Sequence, residues 1–253
     1  MKKFIIMLAA ALPMVFTSCG DDNDDNMLSL DQSAMTLDYD DEVTLKASEK
    51  NCTWTSSNPF VATVDANGKV EANHVGQAVI TASKDGNIAK CNVTVNATNN
   101  NFVMPIITWG NSMDDVKSAM TTLNIAGLSS PEVKGTSLVY TTGTLFPWYI
   151  YSFVDEKLAS SSLTVSDTMD EEKDLEGFLD QRYEEVGETE YGYVYGNAET
   201  LAASTILVEY GYDPEVDAIM AIWAAPKTSK AGNSFNAAAA MSNRKVAREL
   251  ARK

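Results

Sequence analysis

Residues 54–70 read W-T-S-S-N-P-F-V-A-T-V-D-A-N-G-K-V. Ser57-Asn58-Pro59 and Asn67-Gly68 are turn chemistry, and the segments around them are short and strand-like. Working outward, Val43, Leu45 and Ala47 alternate with polar neighbours, and so do Cys91, Val93 and Val95, so each strand buries one face. Asp85-Gly86 supplies a further tight turn. Short strands between such turns predict an all-β sandwich over residues 27–97. Trp54 shares strand parity with Cys52 and is expected in its core. His74, the chain's single histidine, sits beside a turn without a second histidine or a cysteine pair. It is expected to be an exposed loop residue, not a metal ligand.

The blocks Trp54–Pro59, Val61–Asp65, Asn67–Val70, Gly76–Ala82 and Val93–Val95, taken jointly, resemble the bacterial immunoglobulin-like group 2 domain. The resemblance spans essentially all of 27–97. It implies a spacer or stalk of the kind found on bacterial surface proteins, some of which act in adhesion, and it transfers no catalytic residue.

The N-terminus reads as an address. Residues 1–18 place Lys2 and Lys3 before an apolar run that reaches Phe16, too short for a comfortable transmembrane helix of about 20 residues. Thr17 and Ser18 then precede Cys19, an arrangement similar to the lipobox of bacterial lipoproteins, with Phe16 where leucine is usual. The resemblance implies a signal peptide (1–18) and an acylated, palmitate-bearing Cys19; the polar, strongly anionic residues that follow are expected to act as an acidic tether over 19–26. The run Gly20–Asn26 also resembles the acidic export signal of lipoproteins of some Gram-negative bacteria, which implies a protein anchored in the outer membrane and facing the exterior. An ordinary signal peptide cut elsewhere is the alternative. Asp21, Asn23 and Asp25 alternate as in a calcium loop, but Asn26 replaces the turn glycine and Gln32 replaces the bidentate glutamate, so no metal is expected. With Cys19 acylated, Cys52 and Cys91 are left as partners, both at inward parity and in an oxidising compartment. A Cys52–Cys91 disulfide is the expectation; two buried free thiols are the alternative.

Ala97–Asn101 is a polar break and reads as a linker. Residues 102–226 then mix element types: a strand from Phe102 to Thr108, a helix capped by Ser112 with Asp115, three strands (136–142, 147–154, 160–166), a helix over 170–186, and three more strands (190–196, 203–210, 216–224). This order predicts an α+β domain with an antiparallel sheet and two helices on one face. It is similar to helix-on-sheet domains of β-lactamase inhibitor proteins and small outer-membrane assembly lipoproteins. The tail, residues 227–253, holds seven Lys or Arg against Glu249 and lacks a wide apolar stripe, so it is expected to be basic and mobile.

Thirty-five acidic against nineteen basic residues give a net charge of −16, which disfavours a phosphate backbone and so nucleic acid. No P-loop, G-x-S-x-G, H-E-x-x-H or C-x-x-C motif occurs, and no cofactor or catalytic residue is assigned. Strand parity instead puts Tyr149 and Tyr151, and likewise Tyr191, Tyr193 and Tyr195, on single strand faces. Such faces suit a ligand platform; cross-strand pairs packed with solvated hydroxyls are the alternative. The expected function is a monomeric, non-enzymatic recognition or adhesion module on the cell surface, binding a glycan or a surface protein. The alternatives are a structural or inhibitory partner of an envelope protein or protease and, more distantly, a polysaccharide-active enzyme.

Overall fold

A computed structural model describes residues 27–142 and 146–252. The signal segment, Cys19 and the whole acidic tether lie outside the described residues.

The first domain is a two-sheet sandwich. Strands β1 (Ala34–Asp38), β7 (Asn87–Asn96), β6 (Gly76–Lys84) and β3 (Thr53–Ser56) form one sheet, in that order. Strands β2 (Glu42–Thr44), β5 (Lys69–Ala72) and β4 (Ala62–Val64) form the other. β1 runs parallel to β7, and every other pair in the two sheets is antiparallel. Leu45, Val61, Val70, Ile80, Cys91, Val93 and Val95 are buried between the sheets, and Trp54 packs against them. The Asn67-Gly68 turn is what lets Trp54 settle. Gly68 has φ +82°, and a Cβ there would stand 2.5 Å from the Leu45 carbonyl oxygen and 2.9 Å from the indole.

The expected disulfide is absent: Cys52 and Cys91 are both buried and free. Their shared parity is real, but they belong to one sheet, with β6 between them, and do not face each other across the sandwich. Two strand spacings separate them by roughly 10 Å, beyond the ~7 Å between Cα atoms that a disulfide spans. Register adds to this, since Cys91 lies opposite Ile80 whereas Cys52 precedes the strand that pairs at Thr53 with Ser83.

The second domain carries an eight-stranded antiparallel sheet. Its first half is a helix, α1 (Met113–Thr122), then the meander β8 (Glu132–Lys134), β9 (Ser137–Thr141), β10 (Trp148–Val154) and β11 (Lys157–Ser166). Its second half repeats the plan with α2 (Met169–Asp180), β12 (Glu184–Thr189), β13 (Gly192–Gly196), β14 (Leu207–Asp213) and β15 (Ala218–Ala224). The halves join where β15 pairs with β11, so β8 and β12 are the outer edges. Ser112 and Asp115 form the expected capping box of α1. Both helices lie on one face and seal a core that includes Tyr151, Phe153, Leu163, Leu175, Phe178 and Trp223.

Three expectations are corrected here. Residues 102–108 are not a strand; Phe102, Met104, Ile106 and Ile107 cross the helix-bearing face as an irregular strap, tied by Ser161 Oγ donating to the Ile106 carbonyl at 2.5 Å. α2 stops at Asp180 instead of continuing to Val186, because Glu184–Thr189 pair with β13 as an edge strand. The C-terminal segment is a packed element, not a mobile tail. After a small hairpin, β16 (Lys227–Ser229) with β17 (Gly232–Ser234), it forms α3 (Ala237–Ala251), which covers the sheet face opposite α1 and α2. Ala240, Val246 and Ala247 rest there on Val139, Trp148, Ile150, Met220 and Ile222.

Candidate functional site

The expected tyrosine platform is largely core. Tyr149, Tyr151 and Tyr195 are 2%, 0% and 4% exposed, under the helices. Burial is the reason: the face that strand parity assigned to these rings is the one that packs α1 and α2. Desolvation raises the hydroxyl pKa of all three, and the partners of Tyr149 and Tyr151 are internal, whereas Tyr195 bonds to Asp180 at the surface. Tyr151 Oη, for example, donates to Met120 Sδ at 2.9 Å. Tyr191 turns to the other face, where the Arg244 guanidinium lies 3.9 Å above its ring. Of the five, Tyr193 alone is open, at 46% exposure.

Beneath α3 lies a buried ionic cluster that sequence reasoning missed. Arg244 is fully buried and donates from one terminal nitrogen to Glu209 at 2.7 Å and from the other to Asp213 at 3.0 Å. Arg248 donates to Asp213 at 3.1 Å and to Glu215 at 2.8 Å. Burial alone would lift the Asp213 carboxyl, but hydrogen bonds from Arg248 and Arg244 hold it below the usual carboxylate range. Asn243 also reaches inward, donating to the Ile150 carbonyl at 2.8 Å and accepting from Ser160 Oγ at 2.7 Å. One signal was available in the sequence: Glu209, Gly211 and Asp213 alternate on a strand, and Asn243, Arg244 and Arg248 share a helix face.

The two domains meet at Gln181, the residue that ends α2. Its side-chain oxygen accepts from the backbone N–H of Thr98 at 2.8 Å and of Asn99 at 2.9 Å. Its amide nitrogen donates to Thr98 Oγ1, and its carbonyl accepts from Val75 N, each at 2.8 Å. The polar break at 97–101 is therefore fastened to α2. His74 is part of this junction and not an exposed loop residue, because its ring stacks on Phe60 at 3.9 Å and leaves the side chain 12% exposed. Its Nδ1 lies 2.8 Å from the Phe60 carbonyl, and its Nε2 is 3.6 Å from a Glu184 oxygen.

Beside the junction is an open cleft of about 460 Å³ with walls from both domains. Asp40, Glu176, Asp180, Glu184 and Glu185 line it together with Tyr39 and Tyr195, and its lining contains no lysine or arginine. Burial pushes the Asp180 carboxyl above the usual carboxylate range, against a hydrogen bond from Tyr195 and with added repulsion from Glu184. Glu176 is raised too, by burial first and then by Asp180 and Glu172. Such a wall repels anions and favours cationic groups. Among the described residues, no three His, Cys, Asp or Glu side chains converge as metal ligands.

The chain is thus an Ig-like sandwich fastened to an α+β domain. Residues 33–95 match the family described as bacterial Ig-like domain (group 2). No curated protein matches the chain.

Proposed function

We propose that this protein is a lipid-anchored, non-enzymatic recognition or adhesion module on the bacterial surface, its ligand a glycan or a surface protein. The supporting observation is the order of parts. A Cys19 lipobox and acidic tether precede an Ig-like group 2 domain, which is fixed through Gln181 to a domain with no catalytic motif. The Ig-like domain serves as a spacer that also orients, because the linker behind it is hydrogen-bonded to α2. Protease treatment of intact cells expressing the full chain tests this reading. The two domains should be shed from cells whose periplasmic proteins stay protected, and Cys19→Ser should abolish both palmitate incorporation and membrane retention. Full protection of the chain on intact cells overturns it.

A second reading, docking onto an envelope protein, is favoured by the acidic interdomain cleft, which suits a basic protrusion of a partner. In-cell cross-linking that returns one stoichiometric envelope protein supports it.

A further inference from the structure

Two tyrosines emerge from the helix-bearing sheet face beyond the cover of α2. Tyr193 on β13 and Tyr212 on β14 are 46% and 42% exposed, the most open aromatic side chains among the described residues. Tyr193 pairs directly with Tyr210, two residues from Tyr212, so the exposed rings are diagonal neighbours with Cα atoms roughly 7–8 Å apart. Behind them, Tyr195 and Tyr210 are buried edge to face, with centroids 6.1 Å apart. Tyr210 Oη donates to the Glu172 carbonyl at 3.2 Å, tying this inner pair to α2. Gly192 and Gly211 let the two strands cross closely, since a Cβ on Gly192 would stand 2.2 Å from the Tyr210 carbonyl oxygen. The exposed pair is thus carried on regular strands over packed aromatic residues, with little left to order on binding.

The surroundings are acidic. Glu188 lies opposite Tyr193 in the β12–β13 ladder, Tyr212 Oη donates to Asp217 at 2.7 Å, and Asp167 acts electrostatically on the same hydroxyl. We propose that Tyr193 and Tyr212 form a binding face for a neutral glycan, the sugar C–H faces lying on the two rings and the sugar hydroxyls donating to the flanking carboxylates. The carboxylates repel sulfated, uronic or phosphorylated ligands. Two half-exposed tyrosines offer only roughly 200 Å², far below the ~800 Å² per partner of a stable protein interface, but an area on the scale of one or two sugar rings. This deepens the proposed recognition function by naming a ligand class. The binding is measured in solution, so its failure is distinct from failure of the surface reading.

The test is affinity electrophoresis of the chain from residue 19 onward, carrying Cys19→Ser, through gels holding laminarin, soluble starch, xylan or hydroxyethylcellulose. Heparin and polygalacturonate gels serve as acidic controls. Retardation by at least one neutral polysaccharide and by neither acidic one is expected. Y193A and Y212A should each weaken the association constant at least tenfold with near-UV circular dichroism unchanged, whereas Y193F and Y212F should stay within threefold. No retardation by any neutral polysaccharide, retardation only by acidic ones, or equal retardation of Y193A and Y212A overturns the proposal. So does capture of a protein partner that survives both alanine changes without any glycan binding.

Discussion

Arg244 ties α3 to β14 through Glu209 and Asp213. Its side chain is fully buried; its two terminal nitrogens are paired with carboxylates and its plane lies over the Tyr191 ring, while its Nε has no hydrogen-bond partner. Removing one partner of such a cluster strands the others, so R244M should destabilise the protein by about 3–5 kcal/mol in urea unfolding. A loss under 1 kcal/mol would mean that Glu209 and Asp213 are solvated. The same cluster sets the acid limb. Asp213 has a depressed folded pKa, so its contribution is fully present above the unfolded value of about 3.9 and is lost as pH falls through the lower folded value. Wild-type urea midpoints should drop below about pH 4, and less steeply in D213N; parallel curves would show that the carboxyl is not held by the arginines. The cysteines give a separate check at this scale. Burial pushes the Cys91 thiol up to about 11, so little thiolate is present in the native state, and Cys52 and Cys91 are both free. The C19S chain should show two thiols by Ellman titration in denaturant without reductant, with no change of melting temperature on adding dithiothreitol. Fewer than one thiol per chain would restore the disulfide.

Among the elements, α3 shows what holds the second sheet face and why it was hard to read. Its buried positions are Ala239, Ala240, Asn243, Arg244, Val246 and Ala247, a stripe in which half the side chains are alanine and two are polar. Small residues let the helix approach the Ser160 strand closely, and Asn243 uses that proximity to bond both Ser160 Oγ and the Ile150 carbonyl. N243A should therefore cost about 2–3 kcal/mol, two net hydrogen bonds plus a buried group left without its partner. A cost below 0.5 kcal/mol would place α3 off the sheet. Hydrophobic periodicity could not announce this helix, because its packing relies on smallness and charge pairing more than on apolar bulk. The strands of the sandwich were legible, since Val93 and Val95 alternate and Asn67-Gly68 fits one turn type. The capping box of α1 was legible from Ser112 and Asp115 alone. The edge strands β8 and β12 were not, because an edge carries polar residues on both faces: Glu184–Thr189 includes three glutamates. Tyrosine placement failed for another reason. Parity tells which side chains share a face, but not whether a helix lies on it, so Tyr149 and Tyr193 look alike in sequence and differ from 2% to 46% exposure.

Over the whole molecule the decisive feature is the junction, where one glutamine converts a polar linker into a fixed joint. Gln181 accepts from Thr98 and Asn99, donates to Thr98 Oγ1, and offers its carbonyl to Val75. Arg182 adds a bond to the Asn99 carbonyl at 3.3 Å, and Asn99 Nδ2 donates to the Asp174 carbonyl at 2.8 Å. At about 0.5–1.5 kcal/mol net per bond, the three side-chain bonds of Gln181 are worth roughly 2–4 kcal/mol of coupling between domains. That exceeds the thermal energy of about 0.6 kcal/mol several-fold, so the Ig-like domain and the α+β domain should tumble together and melt in one calorimetric transition. Q181A keeps the Val75 contact, which is made by backbone, but removes the three side-chain bonds. It should split the transition in two, each part close to the intrinsic stability of its own domain, and give the domains different rotational correlation times by ¹⁵N relaxation. Neither core contains Gln181, so the variant tests the joint without unfolding what it joins. One unsplit transition with a common correlation time in Q181A would show that the cleft-side contacts, His74 with Glu184 among them, hold the domains together without it.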